Sequence, residues 1–185
     1  MSGRNFRPGG FPITGDGPTW VFGYGSLIWK QDFPYRESRP GCIVGWQRRF
    51  WQGSHDHRGF AHDPGRVVTL VAAPNEICCG RAFLVEPVVF EHLDHREKNG
   101  YERVSVDILF ETEKVQGVVY RASADNPAYL GPAPLDEMAA QIARCSGPSG
   151  SNSEYVFELA RALRDLGYSD PHVFEVESRV RSMRP

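Results

Sequence analysis

The chain predicts an α+β domain in which strands dominate the first two-thirds and helices the last third. Short β-branched and aromatic runs, separated by glycine and proline turns, occupy the first part, and helical spacing of apolar residues takes over near the end. A length of 185 residues with 41% hydrophobic composition fits one domain with a sizeable core.

Residues 1–19 hold five glycines and three prolines with little aliphatic content, which predicts an N-terminal tail ahead of a domain over 20–185. Residues 20–22 and 27–29 read as short extended pieces on either side of a glycine turn. Further strands are predicted at 42–44, 49–51, 67–71, 80–85, 104–110 and 116–120. A helix is predicted from Pro87, suited to a first helical position, to Lys98, with Asn99 and Gly100 as its stop. A second spans 135–144, with Leu135, Met138, Ile142 and Cys145 near one face. A third starts at Ser151 as N-cap with Glu154 three residues on, the pattern of a capping box. It continues through Val156, Leu159, Leu163 and Leu166 and stops at Gly167.

Composition excludes several function classes. A formal net charge of −2 supplies no basic field for phosphate backbones, so nucleic acid is not an expected partner. No apolar run approaches a membrane span and no signal peptide is legible, so a cytoplasmic location and no membrane partner are expected. The four cysteines, Cys42, Cys78, Cys79 and Cys145, form no CxxC and read as reduced, mostly buried small hydrophobes.

On the helix ending near Asn99, Phe90 and Leu93 define the apolar face, and Glu97 projects between their directions. A carboxylate aimed at a core asks for a reason. An ion pair with an arginine, or a side chain that bends out to solvent near the helix end, is one; a general base is the other. A helix C-terminus and partial desolvation both raise a carboxyl's proton affinity, which suits proton transfer near neutral pH.

The segment FGYGSLIW, residues 22–29, places Gly23 and Gly25 around Tyr24. Glycine there admits φ > 0 and close approach to the main chain, so successive N–H groups can converge on a carbonyl oxygen that becomes an oxyanion. The spacing is not that of a phosphate loop, and most glycine turns only connect strands. RRFWQGSHDHRG, residues 48–59, mixes basic and aromatic residues, and a strand followed by a polar turn accounts for it. His92 and His95, three apart with no third partner at useful spacing, read as a solvated helix face rather than a metal site. Ser26 has no adjacent base and does not sit in a nucleophile elbow.

Six ordered blocks, WVFGYGSLIW, RRFWQGSHDHRG, PGRVVTL, REKNGYE, DNPAYLGPAP and QIARCSGPSGSNSEYVFELA, closely resemble the ChaC-like γ-glutamylcyclotransferases over residues 20 to about 167. The resemblance implies the γ-glutamylcyclotransferase-like fold, a small mixed β-sheet or barrel with helices around it and the site at its mouth. It also implies conversion of glutathione to 5-oxoproline and cysteinylglycine without cofactor. By motif, the proton-accepting glutamate falls on Glu97, and the substrate-binding turn on Val21, Phe22, Gly23, Tyr24, Gly25, Ser26 and Leu27. Tyr101 and Tyr129 lie in matching blocks as further substrate contacts. Relatives often carry two glycines after REK where this chain has Asn99 and Gly100; asparagine also tolerates the left-handed conformation. The expected partner is a small-molecule substrate, glutathione, with a monomer or a homodimer both open. Another γ-glutamyl compound as substrate, and a non-catalytic binding module on the same fold, are the alternatives.

Overall fold

The computed structural model describes residues 17–97 and 100–183. The predicted tail through residue 16 and the helix stop at Asn99 lie outside the described residues. Five strands close a barrel in the order β1-β3-β2-β4-β5: β1 (Thr19–Gly23), β2 (Glu37–Ser54), β3 (Gly65–Val85), β4 (Tyr101–Leu109) and β5 (Lys114–Ala122). Neighbours are antiparallel except β1 against β5, where Trp20 and Val21 run parallel to Gly117 and Val118. A two-stranded clip, β6 (Ser146–Gly147) with β7 (Gly150–Ser151), sits before the third helix.

Two pairs of predicted strands are in fact single long ones. The segments at 42–44 and 49–51 belong to the 18-residue β2, and those at 67–71 and 80–85 to the 21-residue β3. Pro40, Gly41, Gly45 and Pro74 lie within these strands, and the ladder passes through or around them. It shifts register between Val44 and Trp46, at Gly45 with φ +86°, and again between Arg49 and Gln52. Strand period then sorts residues between two apolar clusters: Phe22, Ala82 and Val119 join one, while their chain neighbours Val21, Phe83 and Val118 join the other.

Residues 27–29, expected to be extended, wind instead into a 3₁₀ turn (Ser26–Ile28). The Gly25 carbonyl accepts from Ile28 N–H at 3.0 Å, and the Ser26 carbonyl accepts from Trp29 and Lys30. Gly23 and Gly25 are not among the glycines of positive φ, so the expected left-handed geometry is corrected to close approach. A Cβ on Gly25 would lie 3.0 Å from Tyr155 Oη and 3.1 Å from Val68.

Helix α1 (Val89–Arg96) is shorter than predicted, with Val88 rather than Pro87 ahead of its first residue and Glu97 as its C-cap. Fully buried Leu93 anchors it in the second cluster, a burial that contributes about 2 kcal/mol. Helices α2 (Leu135–Arg144) and α3 (Asn152–Asp165) follow the expected pattern. Ser151 accepts from Glu154 N–H at 3.2 Å, but the Glu154 carboxylate turns to Arg58 at 2.6 Å, leaving half a capping box. Helix α4 (Pro171–Ser182), unanticipated, packs against α2 and α3 and buries Val173, Val176 and Val180. Asp170 as N-cap, accepting from Val173 N–H at 3.1 Å, with Pro171 in the first turn, is the signal that announces it.

Strand register also corrects the cysteine expectation. Cys42 faces Cys79 across β2 and β3 with Cα atoms 4.0 Å apart, and the two form a disulfide; Cys78 and Cys145 are buried thiols. A separation of 37 residues gives no hint of this, since only the register of two long strands places them opposite each other.

Candidate active site

The chain leaves β1 at Gly23 and passes at once into the turn of residues 24–28. On the other side, α1 ends where β4 begins, so Glu97 and Tyr101 stand against that turn. Gly100, at φ +88°, makes the corner; a Cβ there would come within 2.7 Å of Asn126, so only glycine fits this path. Asn126 is held in turn by reciprocal amide bonds with Gln52 at 3.1 and 3.0 Å.

Two cavities meet at this place. A cleft of about 770 Å³ runs over the β2–β3 connection, and a recess of about 50 Å³ lies beneath the turn. Ser26, Glu97, Tyr101 and Tyr155 line both, so the Glu97 carboxyl stands where the two join. Of the residues singled out in the sequence, Phe22, Tyr24, Gly25, Ser26, Leu27, Glu97 and Tyr101 line the recess. Val21 is fully buried in the second apolar cluster, and a Cβ on Gly23 would lie 2.8 Å from that of Leu27; neither residue lines the recess or the cleft. Tyr129 bridges to Gln52, while its neighbours Pro127 and Ala128 line the cleft in its stead.

The Glu97 side chain is 17% exposed. Burial pushes its pKa above the usual carboxylate range; Arg96, with Nε 3.5 Å from Glu97 Oε1, pulls it down, and Asp32 adds to the rise. The ion-pair reading and the base reading thus meet in one residue, because the cation nearby does not reverse the effect of burial. Arg96 itself donates to Asp32 Oδ1 at 2.6 Å and to Ser26 Oγ at 3.2 Å, tying α1 to the turn. His92 Nε2 stands 3.3 Å from the same Asp32 oxygen. Among the described residues no group of three His, Cys, Asp or Glu side chains is arranged to hold a metal.

Phenols surround the carboxyl. Burial first, then the Glu97 and Tyr155 charges, push Tyr24 well above its ordinary pKa. Tyr101 is raised likewise by burial and then by Tyr24 and Glu97. Tyr155, which accepts from Val68 N–H at 3.4 Å, is pushed up to about 12, again chiefly by burial. Tyr120 donates to Asp94 at 2.5 Å. These groups stay neutral near pH 7, so each phenol keeps an O–H that it can donate. Tyr155 and Arg96 were missed in the sequence. Tyr155 sits within a helical pattern whose periodicity is fully used by packing, and Arg96 is the residue beside the one that drew attention.

A family model described as ChaC-like protein matches residues 19–183. Gamma-glutamylcyclotransferase 2-3 of Arabidopsis thaliana is 47% identical over 175 residues, covering 88% of this chain and 88% of its own. Glutathione-specific gamma-glutamylcyclotransferase 1 of Danio rerio is 43% identical over 179 residues, 91% of each chain. The crystal structure of a selenomethionine-labelled yeast gamma-glutamyl cyclotransferase specific to glutathione superposes with TM-score 0.85 at 30% identity, covering 91% of this chain and 97% of that one. The barrel, the turn and the acid at the end of α1 all fall within the matched span, and the chain belongs to the ChaC-like protein family.

Proposed function

We propose that the protein is a glutathione-specific γ-glutamylcyclotransferase that releases 5-oxoproline and cysteinylglycine. The observation that carries this reading is the position of Glu97 at the junction of recess and cleft, with its proton affinity raised by burial. The names of the relatives supply the substrate class.

In a γ-glutamyl amide the nucleophile is the substrate's own α-amine, which attacks the γ-carbonyl carbon, closes a five-membered ring and expels the peptide amine. The amine is mostly protonated at neutral pH and has no lone pair to attack with. Glu97 takes that proton and returns one to the leaving nitrogen as the C–N bond breaks. The carbonyl oxygen becomes an oxyanion at the turn. There the first N–H groups, of Gly25, Ser26 and Leu27, have no partner within the 3₁₀ turn, and they are the donors together with the neutral phenols. Holding the glutamyl arm bent for ring closure lowers the barrier further, by several kcal/mol in order of magnitude. The wide cleft receives the cysteinylglycine end.

Incubation of the purified protein with glutathione, followed by mass spectrometry, is expected to show 5-oxoproline and cysteinylglycine in equal amounts. N-acetyl-glutathione is expected to give no cyclic product; its cleavage at a comparable rate identifies a hydrolase and rejects ring closure. γ-Glutamyl amino acids offered in parallel test the substrate assignment, which fails if they are turned over faster than glutathione.

A further inference from the structure

We propose that Arg48 is a positioning residue for the reaction, one that aims the Gly25 N–H into the recess by holding the Tyr24 carbonyl from behind. This rests on the oxyanion reading of the turn given above.

Arg48 is 1% exposed and lines neither cavity, so it touches no substrate. Its planar guanidinium reaches three acceptors. Nε donates to the Tyr24 carbonyl at 2.6 Å, one terminal nitrogen to Asp170 Oδ2 at 2.6 Å, and the other to the Cys79 carbonyl at 2.5 Å. Those acceptors belong to the turn, to the cap of α4 and to β3. The fork is rigid, so the orientation of the Tyr24–Gly25 peptide is set by two elements far from it in sequence.

That peptide is trans, and in a trans unit C=O and N–H point to opposite sides. With the carbonyl drawn toward Arg48, the Gly25 N–H is turned the other way, and Gly25 lines the recess. Glycine at 25 makes the constraint necessary. With no Cβ to restrict it, this peptide unit can rotate about its flanking bonds and present the carbonyl to the recess, an acceptor facing the developing oxyanion. A bond to Asp170 alone would suffice to brace α4. The Nε bond to Tyr24 is what ties the brace to the chemistry.

Steady-state kinetics on the full chain test this with three variants. Arg48→Lys keeps a cation beside Asp170 but cannot reach three acceptors in one plane. The double variant Arg48→Met/Asp170→Asn removes both charges together, so that none is left buried alone, and keeps a capping acceptor for α4. Asp170→Asn alone weakens the brace and leaves the Nε bond. The first two are expected to lose about 10- to 100-fold in kcat per folded molecule, with KM within about threefold of wild type, because the oxyanion exists only in the transition state. The acid limb of their pH profiles, set by Glu97, is expected not to move. Asp170→Asn is expected to melt at lower temperature and keep kcat within about threefold.

A folded Arg48→Lys or double variant with near wild-type kcat overturns the proposal, as does Asp170→Asn losing as much kcat as Arg48→Lys. If Arg48→Lys does not fold, the double variant decides. If neither folds, Arg48 serves the fold and the proposal is rejected. A wild-type protein that forms no 5-oxoproline rejects the reaction itself and removes the proposal with it.

Discussion

The α4 side of the barrel and the α1 side approach the same turn in opposite ways. On the α4 side the contacts are directional and buried: Arg48 bonds the Tyr24 carbonyl, Asp170 bonds Arg48 while capping α4, and His172 Nε2 accepts from Phe50 N–H at 3.3 Å. On the α1 side an eight-residue helix packs through Val89 and Leu93 and is tied to the turn by the partly exposed Arg96, and it ends in a carboxyl that Arg96 Nε approaches only to 3.5 Å. On the proposed mechanism the difference follows from two tasks. A backbone donor works best when it cannot move, which takes several satisfied bonds. A proton carrier must exchange its proton, and a tight ion pair would hold it ionised.

The division breaks most visibly at Glu97. Glu97→Gln keeps size and hydrogen-bonding reach but cannot take a proton, and turnover per folded molecule is expected to fall by about 10² to 10⁴ with little change in melting temperature. A variant that melts much earlier yet turns over normally would make Glu97 a structural residue and erase the contrast.

Next in size is the disulfide on the other side. Joining Cys42 to Cys79 restricts the unfolded chain, and for a loop of this length the chain-entropy model gives roughly 4 kcal/mol. The Cys42→Ala/Cys79→Ala variant is therefore expected to melt well below the wild type while its folded molecules keep their rate. Calorimetry with parallel assays reads both. Unchanged melting would show that the bridge adds nothing to stability.

His172 gives a smaller and pH-dependent effect. Burial, and then Arg49, push its imidazole down to about 4. Between that value and the ordinary 6.5 the unfolded chain binds the extra proton, so stability is complete above about pH 6.5 and is lost as pH falls toward 4, by about 3 kcal/mol. Melting curves across this window should flatten in His172→Gln, and an equal slope in the variant assigns the loss to other groups.

The smallest effect sharpens the α1 side. Arg96 lowers the Glu97 pKa while burial raises it, so Arg96→Leu should move the acid limb of the kcat/KM profile to higher pH. A shift to lower pH would mean that the limb belongs to another group.

The same division explains what could be read from the sequence. The α1 side is local: Phe90, Leu93 and Glu97 lie within eight residues, and helical projection alone puts the carboxyl on the buried face. The α2 and α3 helices are legible for the same reason, through period and caps. The α4 side depends on register. Arg48 belongs to a strand face with Phe50 and Gln52, all three nearly inaccessible, and the alternation was visible. Its partners Tyr24, Cys79 and Asp170 are each distant in sequence, so neither the burial of the arginine nor the disulfide could be read from spacing. The long strands were missed because glycine and proline within them look like ends. The bulge at Gly45 and the exposed Pro40 are how the ladder accommodates them.

Barrel closure has a kinetic side. β1 is the first strand among the described residues, yet it lies between β3 and β5, and its parallel partners Gly117 and Val118 are about a hundred residues away. A growing chain therefore carries the turn of residues 24–28 long before the strands that frame it exist. Closing so long a loop is entropically costly and slow, so the pairing of β1 with β5 belongs late in folding. The turn leaves β1 directly, and the carboxyl that faces it sits just ahead of β4. The recess, which Tyr155 of α3 also lines, therefore cannot be complete before the barrel closes, and chains that have not closed it do not yet hold the turn and the carboxyl against each other.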